Sequence, residues 1–167
     1  MKALFIGGIK SGKSLHAEEF ALKHSKLPPV YLATTEFIDE GMKERIARHK
    51  LQRSQQFLTV EEPMNLVEAI RPMKTTVLVE CTTMWINNML HHGFESEDIT
   101  QQVHKLLELP HDIIFVHNDV GAGIIPDNAL ARKYVDISGK VSQVLGQNCD
   151  KVFHVISGIS TQIKGKK

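Results

Sequence analysis

The segment Gly7-Gly8-Ile9-Lys10-Ser11-Gly12-Lys13-Ser14 fits the pattern G-x-x-x-x-G-K-[ST] in full. The apolar run Ala3-Leu4-Phe5-Ile6 precedes it, and a helix-compatible segment, Lys13–His24, follows. A strand, a glycine-rich turn and a helix, in that order, gather backbone N–H groups and a helix N-terminus around one phosphate. In such a loop Lys13 reaches the β- and γ-phosphates, and the Ser14 hydroxyl ligates Mg2+. The alternative is a glycine-rich turn with no ligand, and Gly-Lys-Ser in register behind a strand argues against it.

The rest of the chain repeats the same alternation. Apolar runs at Ala3–Ile6, Val30–Ala33, Thr76–Val79, Ile113–Val116 and Val152–Ile156 are nearly continuous, as strands covered on both faces are. Candidate helices lie between and beside them at Lys13–His24, Ile38–Arg53, Met64–Arg71, Met84–His92, Glu97–Glu108 and Asn128–Leu145. For the last, Pro126-Asp127 offers a turn and an N-cap. Leu130, Tyr134, Ile137, Val141 and Val144 form its stripe, and Gly146 its stop. Lys164–Lys167 reads as a frayed tail. The expectation is an α/β fold in one domain spanning residues 1–167, with a mostly parallel central sheet and helices on both faces.

Bulk properties exclude several classes. The 167 residues carry a formal charge of +1, so no global basic field invites nucleic acid. No apolar stretch approaches the ~18 residues of a membrane span, and the apolar start is too short for a signal peptide. A cytoplasmic protein without stable membrane anchoring is expected. Cys81 and Cys149 stand apart and read as reduced core residues.

In an open α/β sheet, ligands bind beyond the carboxyl ends of the strands. That rule selects Gly7–Ser14, then Thr34, Thr35 and Glu36, then Glu80, then Asn118 and Asp119 as one converging set. Glu80 ends an apolar strand, which suits a Mg2+ or water partner, a carboxylate reading the donor edge of a base, or a helix cap. The loop from Asn118 to Pro126, with Gly121 and Gly123, has the shape to close over a second substrate or to serve as a plain turn. Arg45, His49 and Arg53 share one face of a helix. By spacing alone that face is better explained by solvation. An imidazole among cations also resists protonation, and so stays nucleophilic near pH 7.

Several blocks then match in order: the phosphate loop, Tyr31–Thr35, Arg45-Ile46-Ala47-Arg48-His49-Lys50, Val79–Met84, Asn118–Asn128, Leu130–Arg132 and Val155–Ile159. Over essentially its whole length the chain resembles the bifunctional adenosylcobinamide kinase / adenosylcobinamide-phosphate guanylyltransferase family of cobalamin biosynthesis. The resemblance implies a RecA-like P-loop NTPase fold, a homotrimer and two Mg2+-dependent reactions. A nucleoside triphosphate, ATP or GTP, phosphorylates adenosylcobinamide; GTP then donates GMP to that phosphate through a GMP-histidine intermediate. His49 matches the guanylylated histidine, with Lys13 as the catalytic lysine of the loop. Gly7, Gly8, Ile9, Lys10, Ser11, Gly12, Lys13 and Ser14 match the triphosphate site, with Ser14 on the metal. Ala33, Thr34, Thr35, Lys50, Leu51, Gln52, Arg53, Glu61 and Glu80 match the nucleotide site. Leu51-Gln52, Ser54, Phe57 and Lys10 depart from the usual family residues. The competing readings are another small-molecule phosphate-loop kinase and a non-catalytic nucleotide-binding regulator.

Overall fold

The computed structural model describes residues 1–36 and 56–166. The candidate helix Ile38–Arg53, and with it Arg45, His49, Lys50, Leu51, Gln52 and Arg53, lies outside the described residues. Among those described, the order is β1 (Lys2–Gly7), α1 (Lys13–His24), β2 (Val30–Ala33), β3 (Leu58–Glu61), α2 (Leu66–Ile70) and β4 (Val77–Glu80). Then come α3 (Thr82–His91), α4 (Ser96–Glu108), β5 (Ile113–Asn118), α5 (Ala129–Asn148), β6 (Lys151–Ile156) and β7 (Ile159–Lys164). One seven-stranded sheet joins them in the order β3-β2-β4-β5-β1-β6-β7. Every pairing is parallel except β6 with β7.

Alternation along the strands divides the interior into two cores, because successive side chains leave opposite faces. Leu4, Leu32, Val77, Val79, Ile113 and Phe115 face α2, α3, α4 and α5, which contribute Ile70, Trp85, Val103 and Val141 among others. Ala3, Phe5, Leu78, Ile114, Val116 and Val155 face α1, where Ala17 and Ala21 let the helix lie close. Phe5 stacks on Phe153 with ring centroids 4.5 Å apart, and Phe20 meets Phe5 edge-on at 5.4 Å. Helices therefore cover both faces, as the continuous apolar runs require.

Two strands escape the sequence reading. β3 is an edge strand with Leu58, Thr59 and Glu61 exposed, so it lacks the apolar continuity of the inner strands. It pairs with β2 in parallel and brings Glu61 beside Ala33. Phe57, just before it, is buried against Tyr31 at 6.0 Å between ring centroids. β7 is the other edge and corrects the frayed tail. Lys164 ends that strand, and its Nζ donates to Gly146 O at 3.0 Å and Gln147 O at 2.6 Å.

The long helix also differs at its ends and along its stripe. Its N-cap is Asn128, whose side chain accepts from Leu130 N at 2.8 Å and Ala131 N at 3.1 Å. Leu130 is exposed, while Ile137, Val141 and Leu145 carry the burial. Gly146 does not stop it, because tertiary packing outweighs the weak helix propensity of one glycine; the helix runs on to Asn148.

Candidate active site

The parallel strands β1, β2, β3, β4 and β5 end in Gly7, Ala33, Glu61, Glu80 and Asn118, so these ends gather on one edge of the sheet. The phosphate loop leaves β1 there. Gly12 caps α1 with φ 95°, a left-handed conformation that glycine adopts without cost, and no side chain caps the helix. The first-turn N–H groups are thus left to an anionic ligand, as at other anion-binding helix starts. The α1 first turn also carries no acidic residue that would compete for them. Lys13 is buried and its Nζ donates to Gly8 O at 3.2 Å, which holds the ammonium over the loop.

The contact that gives the site its chemistry crosses between elements. Ser14 Oγ, at the start of α1, donates to Glu80 Oε1 at 2.9 Å, at the end of β4. Two hard oxygen ligands, a hydroxyl and a carboxylate, therefore meet beside the loop, a donor set that suits Mg2+. Ser11 Oγ is buried in the same loop without a hydrogen-bond partner. Glu80 does not cap α3; the N-cap is Cys81, with no side-chain cap bond. Burial first, then the Glu80 carboxylate, push the Cys81 thiol up, so it stays protonated.

The turn after Glu80 is held on both flanks. Thr34 N donates to Glu80 O at 3.1 Å. Thr34 Oγ1 donates to Cys81 O at 2.9 Å and accepts from Cys81 N at 3.0 Å. On the other flank Thr82 Oγ1 lies 3.0 Å from Val116 O and 2.8 Å from His117 Nδ1. His117 Nε2 meets Ser138 Oγ at 3.1 Å, so the ring ties β5 to α3 and α5. Burial and then the Lys13 charge push its pKa down to about 4. Asn118 Nδ2 donates to Thr83 Oγ1 at 3.2 Å, and Asp119 N donates to Gly7 O at 3.0 Å. The loop from Asn118 to Pro126 thus begins directly beside the phosphate loop. Part of it, with Arg132, lines a cavity of about 130 Å³. A wider cavity of about 430 Å³ between α4 and α5 is lined by Ser96, Arg132, Lys133 and Lys140, and by neither Lys13 nor Ser14.

A second support comes from the β6–β7 hairpin. Gly158 N donates to Ser11 O at 2.8 Å, and Gly158 O lies 2.8 Å from His16 Nε2. A side chain on Gly7 would run into the Val155 carbonyl oxygen. The hairpin therefore backs the loop. Its signal was present as Ser157-Gly158 between two β-prone runs, a turn dipeptide. The roles of His16 and His117 had no local signal, because each depends on a partner far along the chain.

The structure brings together Gly7–Ser14, Ala33, Thr34, Thr35, Glu61 and Glu80. Ala33 and Thr35 are half-buried beside the site, and Thr34 is buried.

Comparison with known proteins agrees with this architecture. The sequence model of the family described as cobinamide kinase / cobinamide phosphate guanyltransferase matches residues 3–163. The bifunctional adenosylcobalamin biosynthesis protein CobP of Pseudomonas aeruginosa is 35% identical, with 99% of each chain covered. The bifunctional adenosylcobalamin biosynthesis protein CobU of Escherichia coli is 34% identical, covering 98% of this chain and 100% of its own. Among solved structures, the flagellar accessory protein FlaH of Methanocaldococcus jannaschii superposes with a TM-score of 0.53 at 12% identity. That match covers 99% of this chain and 78% of the other. A likeness at that identity speaks for the fold alone, the α/β fold of P-loop NTPases.

Proposed function

The chain belongs to the cobinamide kinase / cobinamide phosphate guanyltransferase family, and from that premise we propose that it is the bifunctional enzyme acting on adenosylcobinamide. It phosphorylates the aminopropanol hydroxyl of that substrate and then transfers GMP from GTP to the new phosphate. Residues 1–167 act as one nucleotide-binding transferase domain, in a cytoplasmic homotrimer. Among the described residues no helix is long and apolar enough to cross a membrane.

The observation that carries the reading is the Ser14–Glu80 contact at 2.9 Å beside an uncapped helix start. It supports Glu80 as a metal or water partner rather than a reader of the base. Mg2+, held by Ser14 and Glu80, would neutralise charge on the phosphates. Lys13 shifts from Gly8 O to the β- and γ-oxygens. Ala33, Thr35 and Glu61 flank the nucleoside, and the Asn118–Pro126 loop borders the acceptor.

In the guanylyl transfer, a ring nitrogen of His49 attacks the α-phosphorus. The P–N bond forms as the α–β P–O bond breaks, and pyrophosphate leaves. An oxygen of adenosylcobinamide phosphate then displaces the imidazole, giving adenosylcobinamide-GDP and regenerating His49. Splitting the reaction in two lets one imidazole act as nucleophile in the first displacement and leaving group in the second.

The test uses Mg2+ and α-labelled GTP. The wild-type chain should retain label through denaturation, and the label should be lost in acid and kept in alkali, as a phosphoramidate behaves. His49→Ala should carry none. Absence of label where GTP demonstrably binds would sink the transferase reading. A simple kinase would instead pass γ-label to cobinamide without becoming labelled itself.

A further inference from the structure

We propose that Thr34 is a positioning residue for Glu80, held from behind by Asn88, rather than a contact to the nucleotide. The inference rests on Glu80 being the metal-side carboxylate of the site.

Thr34 has 0% of its surface exposed, while Ala33 and Thr35 on either side are reachable. All its polar atoms are engaged within the protein. Its N–H donates to Glu80 O at 3.1 Å. Its hydroxyl hydrogen goes to Cys81 O at 2.9 Å, and its hydroxyl oxygen accepts from Cys81 N at 3.0 Å. Its carbonyl accepts from Asn88 Nδ2 at 2.7 Å. Asn88 is itself fully buried, and also donates to Pro63 O at 3.0 Å. A hydroxyl has one hydrogen to give, and this one is already given.

The arrangement forms a clamp. Asn88 on α3 fixes the end of β2 against the start of the Pro63 segment. Thr34 then grips both polar groups of the Cys81 backbone, and Glu80 is the last residue of β4, directly before that grip. Because these bonds hold the backbone on both sides of the Glu80 Cα, turning that backbone so that the carboxylate leaves Ser14 would break them. A reacting group needs its supports within roughly half an ångström of the working geometry. Supports of this kind are worth about 10-fold or more in metal affinity or activity.

The experiment compares the whole chain with Thr34→Val, Thr34→Ser and Glu80→Gln. Valine matches threonine in shape and removes both side-chain bonds to Cys81; serine keeps them. Thr34→Val should raise the Mg2+ concentration for half-maximal His49 labelling about 10-fold. Its metal-free dissociation constant for GTP should stay at the wild-type value. Hydrogen exchange at the Cys81 amide, followed without nucleotide or metal, should quicken in Thr34→Val and not in Glu80→Gln. Thr34→Ser should stay near wild type in all three. If Thr34→Val does not fold, Thr34→Ala removes the same bonds with less bulk and is read in the same way. Metal-free GTP binding weakened as much as labelling would make Thr34 a nucleotide contact and overturn the proposal. A shifted Mg2+ requirement in Glu80→Gln but not in Thr34→Val would overturn the clamp and leave the role of Glu80 standing. An unshifted Glu80→Gln would overturn that role, and the clamp with it.

Discussion

His117 shows how a single buried side chain serves the site without touching a substrate. Its two ring nitrogens are both used, toward Thr82 and toward Ser138. Burial and the Lys13 charge hold its pKa down to about 4, against 6.5 for an ordinary histidine, so it is neutral in the folded chain at pH 7. As pH falls below 6.5 the unfolded chain takes up the proton first. The stabilisation is therefore complete above about pH 6.5 and lost as pH falls through about 4. At full loss it amounts to on the order of 3 kcal/mol. Urea unfolding at pH 7 and pH 4.5 should show that fall in the wild type and a shallower one in His117→Gln, which cannot take the proton. Equal falls in the two chains would remove His117 as the source. Glu80 is the opposite case, a carboxylate whose position at a strand end already pointed to the site; only its partner Ser14 had to be found in space.

At the scale of elements, the hairpin of β6 and β7 does more than close an edge of the sheet. Its turn places Ser157 at φ 52° and Gly158 at φ 81°, and hands the Gly158 N–H to the phosphate loop at Ser11 O. Gly158→Val puts a β-branched residue into left-handed backbone, at a cost of about 1–2 kcal/mol. We expect that loss in thermal unfolding together with weaker binding of a fluorescent GTP analogue. The same loss of stability with unchanged binding would mean that the hairpin only completes the sheet. α4 shows the purely local kind of determinant. Its capping box pairs Glu95 and Asp98 across the first turn, so the cap lies two residues ahead of the expected start at Glu97. β3 and β7 were illegible for a shared reason: edge strands mix polar and apolar residues, so their periodicity carries little signal.

At the scale of the whole molecule, a set of exposed apolar side chains lies on the phosphate loop, α1 and the β6–β7 hairpin. Ile156, Ile159 and Ile163 stand on the hairpin, and Ile9 and Leu15 on the phosphate loop and α1. The proposed homotrimer would offer them cover. Sedimentation velocity should give a species of three chain masses, and a monomer at micromolar concentration would contradict it. Much of the architecture was legible from Gly7–Ser14 and the five apolar runs, because inner parallel strands must be apolar on both faces and the phosphate loop needs its own residues in series. The sequence by itself determined which strand ends are polar, where the loop lies and which family the chain matches. Only the tertiary structure decided how those ends are held: Ser14 on Glu80, Thr34 and Asn88 behind Cys81, His117 under Thr82, and Gly158 behind Ser11. The physical reason is separation along the chain. A hydrogen bond between residues tens of positions apart leaves no periodic trace in the sequence, since it forms only where the crossovers of a parallel sheet return both partners to the same edge.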